Sequence, residues 1–262
     1  MPYAPLALSY HGVDDVPLRQ DVHRAYVSPR QLRRQILRLM EWDYELLTFS
    51  AWAERTVAGR GRGCAALTFD DGFADNLHAL VPLLRELGVP ATVFVVSGWL
   101  GKRHPRTARA RVLTGGEVAE LHAAGVEIGA HTRTHANLPS LSAPAATAEL
   151  TAGRADLEDL LGVPVTSLAY PYGAANGETV ELARRVGFSH ACRALGLGGG
   201  HDPLDLRRQD MGNHSSMLGL RLKRDDRYMR LMHFRPARLV RRARLTALGA
   251  PLRRSRTLEE PD

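Results

Sequence analysis

The chain has 262 residues, is 44% hydrophobic and carries a formal charge of +7. That hydrophobic fraction supports a packed core and excludes wholesale disorder, and the length suits either a single α/β barrel or one to two smaller domains. Two cysteines, Cys64 and Cys192, with no Cys-x-x-Cys spacing exclude a cysteine-based zinc site and a disulfide framework.

The predicted elements alternate. After Met-Pro-Tyr-Ala-Pro comes a strand-like run, residues 6–10, that leads to His11 and Gly12. No basic segment followed by an apolar one precedes it, so the expectation is a cytoplasmic protein. Ser28-Pro29-Arg30-Gln31 has the capping-box pattern and opens a helix with Leu32, Ile36, Leu39 and Met40 on one side. Residues 65–69 read as a buried strand running into Asp70-Asp71-Gly72. A phrase then recurs: a helix ends at Gly and a short apolar strand follows. Residues 83–87 end at Gly88 before strand 91–96, and 117–124 end at Gly125 before 126–130. Residues 148–161 end at Gly162 before 165–170, and 179–186 end at Gly187 before 188–192. Glycine just past a helix is the expected left-handed cap. Thr114 with Glu117 repeats the capping pattern. The stretch 87–101 lacks charge but is interrupted by Pro90 and falls short of the ~20 apolar residues of a membrane helix. Alternating strand and helix predicts a mainly parallel sheet, open or closed into a barrel.

Beyond residue 220 the strand signal disappears. Residues 221–262 hold 13 basic and 5 acidic residues, against 22 and 23 in the first 220. The chain thus divides into a near-neutral body, 1–220, and an Arg-rich tail, 221–262. The tail interleaves Arg238, Arg241, Arg242 and Arg244 with Leu239, Val240, Leu245 and Leu248. That pattern makes it a candidate for peripheral contact with an anionic membrane, and nucleic acid the least favoured partner.

Polar residues gather just after the predicted strands: His11, then Asp70-Asp71, then His131-Thr132-Arg133-Thr134-His135, then Pro171-Tyr172-Gly173. In parallel α/β folds those strand ends share one rim, where sites are built. Singly each motif is ordinary, a turn or a surface pair; together they offer coherent chemistry. Two histidines and one aspartate make a three-ligand metal site with open positions for water. His131 and His135 are four apart, which in a helical turn projects both rings on one side. Of Asp70 and Asp71, one binds metal while the other accepts a proton from the water. His11 is suited to protonate a leaving group, and a backbone N–H near Tyr172 to hold an oxyanion. Asp75 and Asn76 read as the start of the next helix. Trp99 and His104, in a loop at the same rim, read as substrate contacts or as cover.

Thr68-Phe69-Asp70-Asp71-Gly72, His131-Thr132-Arg133-Thr134-His135 and Tyr170-Pro171-Tyr172-Gly173 resemble the ordered motifs of the polysaccharide deacetylase family, the NodB-like carbohydrate esterases. The resemblance covers roughly residues 4–195. It implies a distorted (β/α)7 barrel that binds a divalent metal, most often zinc, and hydrolyses N-acetyl groups of an amino-sugar-containing saccharide or glycan precursor, releasing acetate. It implies Asp70 as base, Asp71, His131 and His135 as metal ligands, and the Tyr172 N–H at the oxyanion. The family's Arg before the third-motif Pro is absent, with Ala169-Tyr170 in its place; Arg207 or Arg208 is expected to supply it. The late Leu231-Met232-His233 lies in the basic tail. The chain is more similar to the circularly permuted poly-N-acetylglucosamine deacetylase branch, whose acid histidine sits near the N-terminus, and this favours His11 over His233. Hydrolysis of another amide or an O-acetyl ester, or an inert barrel binding an anionic partner through its tail, are the alternatives.

Overall fold

Seven parallel strands close into a ring in the computed structural model, which describes residues 3–17, 19–21, 24–105, 107, 110–194, 202–212 and 215–225. Strand β1 (Leu6–Tyr10) is followed by the short pair β2 (Gly12–Val13) and β3 (Tyr26–Val27), helix α1 (Pro29–Glu41), β4 (Glu45–Leu47) and α2 (Phe49–Val57). Then come β5 (Cys64–Phe69), α3 (Val81–Leu87), β6 (Thr92–Val95), α4 (Gly115–Ala123), β7 (Glu127–Ala130), α5 (Ala143–Leu161) and β8 (Ser167–Ala169). The order ends with α6 (Gly177–Val186), β9 (His190–Ala194), β10 (Leu206–Asp210) and α7 (Met217–Arg224). The ring runs β1-β10-β9-β8-β7-β6-β5 and closes through five residue pairs, from Leu6 opposite Ala65 to Tyr10 opposite Phe69. This is the (β/α)7 barrel expected from the sequence. Strand β4 shares the second edge of β5 with β6: it lies along Cys64–Ala66, and β6 takes over at Thr68 and Phe69.

Strand side chains alternate between two faces, and the apolar ones sort accordingly. The outward residues Leu6, Leu8, Leu67, Phe69, Val93, Val95, Ile128 and Leu168 pack beneath the helices in one large core. The inward residues Ala7, Ala66, Phe94, Ala169, Cys192 and Leu206 form a second, smaller core inside the ring. Its floor comes from α2. Thr48 caps that helix, and Phe49 and Trp52 fill the barrel against Phe94. The Phe49 N–H donates to Thr92 Oγ1 at 2.8 Å. Glu127 accepts from Thr92 Oγ1, Ser167 Oγ and Ser50 N at 2.7, 3.0 and 3.1 Å, so a satisfied polar layer underlies the inner core. The same parity, continued upward, aims Ser9, Thr68, Asp70 and Arg208 into the mouth.

The expected caps hold with one change. Gly88, Gly125, Gly162 and Gly187 close their helices left-handed, and Thr114 with Glu117 makes a full capping box. Ser28 accepts from the Gln31 N–H, but the Gln31 amide does not reach back; it donates to the carbonyls of Gly212 and Ser215 at 3.2 and 2.9 Å, fastening α1 to the chain after β10.

Helix α7 carries the fold past residue 220: the Arg224 guanidinium lies 4.1 Å from the Tyr3 ring centroid and 4.2 Å from that of Trp42. The remaining Arg-rich tail, with His233, lies outside the described residues. Cys64 and Cys192 are buried free thiols. Among the described residues no helix is long and apolar enough to cross a membrane.

Candidate active site

The motif residues converge at the C-terminal mouth of the barrel. Asp70 follows β5 and keeps the inward parity of Thr68. Its N–H donates to the Tyr10 carbonyl at 2.9 Å, extending the β1–β5 seam by one step. Its carboxylate is held by Arg208 in a two-point contact, Nη1 to Oδ1 at 2.7 Å and Nη2 to Oδ2 at 2.8 Å, and Ser9 Oγ donates to Oδ2 at 3.3 Å. Arg208 Nη1 also donates to Thr68 Oγ1 at 2.8 Å. Burial alone raises the Asp70 carboxyl. The charge and hydrogen bonds of Arg208 outweigh it and bring the group below the ordinary carboxylate range. Of the two arginines considered for this place, Arg207 lies 3.8 Å from Asp205 instead.

Asp71 takes a left-handed turn, φ 71°, and so points beside Asp70 rather than away from the mouth. Its Oδ1 lies 3.5 Å from His131 Nε2 and 3.4 Å from His135 Nε2. These histidines do not meet through a helical turn, as their spacing predicts. The segment is a loop in which Thr132 and His135 have φ of 62° and 61°. Glu149 of α5 pins it by accepting from the N–H groups of Arg133 and Thr134 at 3.1 and 2.8 Å. Left-handed residues and an external carboxylate replace the helical bonds and turn both rings to one point.

His131 Nδ1 is 2.6 Å from the Ala169 carbonyl, which fixes its proton there and leaves a lone pair on Nε2. That lone pair faces a carboxylate oxygen, and Asp71 Oδ1 is buried with no hydrogen-bond partner among the described residues. A cation resolves this opposition of acceptors. Ligands ~2.1 Å from a tetrahedral ion lie about 3.4 Å apart, close to the Asp71–histidine separations. The three donor atoms all fall within 4.8 Å of one another. The residues therefore fit a divalent metal.

His104 was not assigned this place by sequence. It is buried, not a substrate-facing loop residue, and its Nε2 lies 3.0 Å from Asp71 Oδ2. No motif marks it; its loop is folded inward by a Gly101–Leu113 hydrogen bond and by packing of its ring on Phe73. Burial raises the Asp71 carboxyl, but the His104 hydrogen bond, with the imidazoles of His11, His131 and His135 close by, more than reverses it. Trp99 stacks on His135 with centroids 5.2 Å apart, and the exposed Tyr172 meets the same ring edge-on at 4.6 Å. Tyr172 has φ 60° in the turn Pro171–Gly173 that follows β8. His11 is half-buried at the end of β1, close enough to both aspartates to act on their charge.

Asp75 and Asn76 do not cap the next helix. The chain enters α3 through a π-helical turn, Asn76–Leu80, with no side-chain cap, and both side chains reach toward the segment after β1.

The chain is similar to known proteins in sequence and in fold. The model of the polysaccharide deacetylase family matches residues 58–191, just over half the chain. YxkH of Bacillus subtilis (strain 168) is 29% identical over 125 residues, 48% of this chain and 42% of that protein. A chitin deacetylase of Pestalotiopsis sp is 32% identical over 123 residues, 47% of this chain and 39% of that protein. The chain thus spans about two fifths of each relative. Among solved structures, the deacetylase PplD of Streptococcus pyogenes, in complex with acetate, superposes with a TM-score of 0.73 at 22% identity, over 86% of this chain and 99% of that one. IcaB of Ammonifex degensii gives 0.73 at 22% identity, over 86% and 97%. The strand-end motifs, the closed seven-stranded ring and the family match agree, and the chain belongs to the polysaccharide deacetylase family.

Proposed function

We propose that this protein is a metal-dependent hydrolase that removes N-acetyl groups from an amino-sugar-containing saccharide and releases acetate. The observation that carries the reading is the pairing of a buried aspartate clamped by arginine, Asp70, with an adjacent aspartate, Asp71, that shares one point with two histidines. Asp71, His131 and His135 are the ligands for the metal, and one carboxylate with two imidazoles is a donor set zinc accepts. A divalent cation at this place supplies a water of lowered pKa and draws charge from the acyl oxygen.

The remaining work falls to the chain. Asp70, kept ionised by Arg208, takes the proton of the attacking water. The Tyr172 N–H supports the oxyanion, a role favoured by the Tyr172 ring lying against His135. His11 delivers a proton to the departing amine nitrogen as the C–N bond breaks. Trp99 and Tyr172, packed on two sides of His135, offer aromatic surface to a sugar ring.

Acetate release from N-acetylglucosamine oligomers tests the reading. Asp70→Asn is expected to lose turnover while retaining metal, and His131→Ala to lose both. Near-normal turnover of metal-loaded Asp70→Asn overturns the assignment, and release confined to O-acetylated sugars moves the substrate class. From sequence we also assign the basic tail to an anionic membrane surface. Liposome co-sedimentation that is unchanged on deleting residues 236–262 rejects that assignment.

A further inference from the structure

His11 leaves the barrel where β1 ends, next to the β5 end that carries Asp70 and Asp71. Its peptide is unusually well fixed for a loop. Asn76 Nδ2 donates to the His11 carbonyl at 3.0 Å and to Asp75 Oδ1 at 3.3 Å. Asp75 Oδ1 accepts the Val13 N–H at 2.7 Å. Between these two anchors Gly12 lies so close to Tyr26 and Asp75 that a Cβ there would stand 2.5 Å from the tyrosine ring and 3.2 Å from Asp75 Oδ2. The Gly12 N–H donates to the Ala25 carbonyl at 2.9 Å. The His11 carbonyl and the N–H groups of Gly12 and Val13 are therefore all engaged.

Asn76 is fully buried, and both groups its amide nitrogen meets are acceptors, which fixes the amide's orientation. Its Oδ1 finds no hydrogen-bond partner among the described residues. The side chain is thus held for its donors, at the cost of an acceptor. The turn that presents it is π-helical, a rare departure from α-helix that is frequent at functional sites.

We infer that Asp75 and Asn76 are positioning residues for proton transfer: they clamp the His11–Val13 backbone to the loop that carries the base and the aspartate metal ligand. The clamp fixes the distance between the groups that take and give protons, which come from two different strands. It rests on the reading of His11 as the proton donor. A displacement on the order of 1 Å in such a group costs about a hundredfold in rate.

The test compares Asn76→Ala, Asp75→Ala and His11→Ala on N-acetylglucosamine oligomers and on 4-nitrophenyl acetate, whose leaving group needs no proton. On the amide, Asn76→Ala is expected to lower kcat about ten- to a hundredfold with KM and metal content unchanged. On the aryl ester it is expected to stay within about threefold of the parent, because ester cleavage there does not call on the acid. The double variant His11→Ala/Asn76→Ala is expected to be no slower on the amide than His11→Ala alone, since a residue that acts through His11 has nothing left to position. Asp75→Asn, which keeps an acceptor for the Val13 N–H, is expected to restore most of what Asp75→Ala loses. Multiplying losses in the double variant overturn the clamp, and Asp75→Ala in the same cycle decides the matter if Asn76→Ala fails to fold. A His11→Ala enzyme of normal amide turnover instead overturns the donor assignment on which the clamp rests.

Discussion

Asp75 carries a consequence for stability that is separable from catalysis. Burial lifts its carboxyl from the ordinary range to about 7, against the lowering effect of the Val13 N–H. In the unfolded chain an aspartate titrates near 3.9. Between those values the folded state holds a proton that the unfolded state has released, so stability falls as pH rises. The advantage is fully present below the unfolded pKa and is gone above the folded one. A shift of about three pKa units corresponds to roughly 4 kcal/mol, of which about 3 kcal/mol falls between about pH 5 and pH 8. Asp75→Asn keeps an acceptor for Val13 but cannot ionise, so its stability lacks this slope. Urea unfolding of both proteins at about pH 5 and about pH 8, metal removed by chelator, measures the difference. Any fixed penalty for the new amide cancels between the two pH values, as do groups common to both proteins. The variant is expected to gain on the parent by about 3 kcal/mol on going to the higher pH. A difference that stays constant across that interval refutes the raised carboxyl.

Three further outcomes follow from the contacts. Arg208→Met strips both guanidinium hydrogen bonds from Asp70 and leaves a buried carboxylate without its cation, so thermal unfolding should show a loss of about 3–5 kcal/mol; an unchanged melting temperature contradicts the buried pair. His104→Ala removes the partner of Asp71 Oδ2 and is expected to weaken metal binding about 10- to 100-fold in a chelator competition, whereas equal affinity would show that His104 does not support the ligand. Trp52→Ala opens the barrel floor and should cost about 3–5 kcal/mol in chemical unfolding, and a loss below about 1 kcal/mol would mean that the inner core collapses around the gap.

The sequence made legible the features that repeat or that carry a fixed local geometry. Helices closed by glycine are visible because a left-handed cap needs little from the rest of the fold. Strands β5 through β8 are visible because burial on both faces makes them short, largely apolar runs. Strand β10 is not, because Leu206-Arg207-Arg208-Gln209-Asp210 looks like a solvated segment. Only closure of the ring turns Arg208 inward onto Asp70, and no local pattern announces that. The same limit hid His104, which becomes a partner of Asp71 only when a loop distant in sequence folds over it. It also mis-set the histidine pair. His131 and His135 do meet, but through a loop pinned by Glu149 on α5, and the helical spacing that suggested their meeting is not its cause. Asp75 and Asn76 look like helix-start residues, and a π-helical turn redirects them to β2.

These misses share a physical origin that bears on how the site works. Asp70 is reached by Ser9 from β1, by Arg208 from β10 and by its own neighbour Thr68 from β5. Those three strands are adjacent only because β1 bridges β10 and β5 and completes the ring. A buried ion pair of this kind contributes little net stability when intact but is costly when one partner is lost. Closure of the barrel and ionisation of Asp70, the proposed base, are therefore coupled: opening the β1 seam withdraws Arg208, and without it burial pushes the Asp70 carboxyl up. The same seam delivers His11 and, through Asp75 and Asn76, fixes it against the aspartate loop. Strand β1 is thus the element on which the proposed base, the proposed donor and ring closure all depend, and a destabilised β1 is expected to impair turnover before it disturbs His131 and His135, whose loop is held from α5.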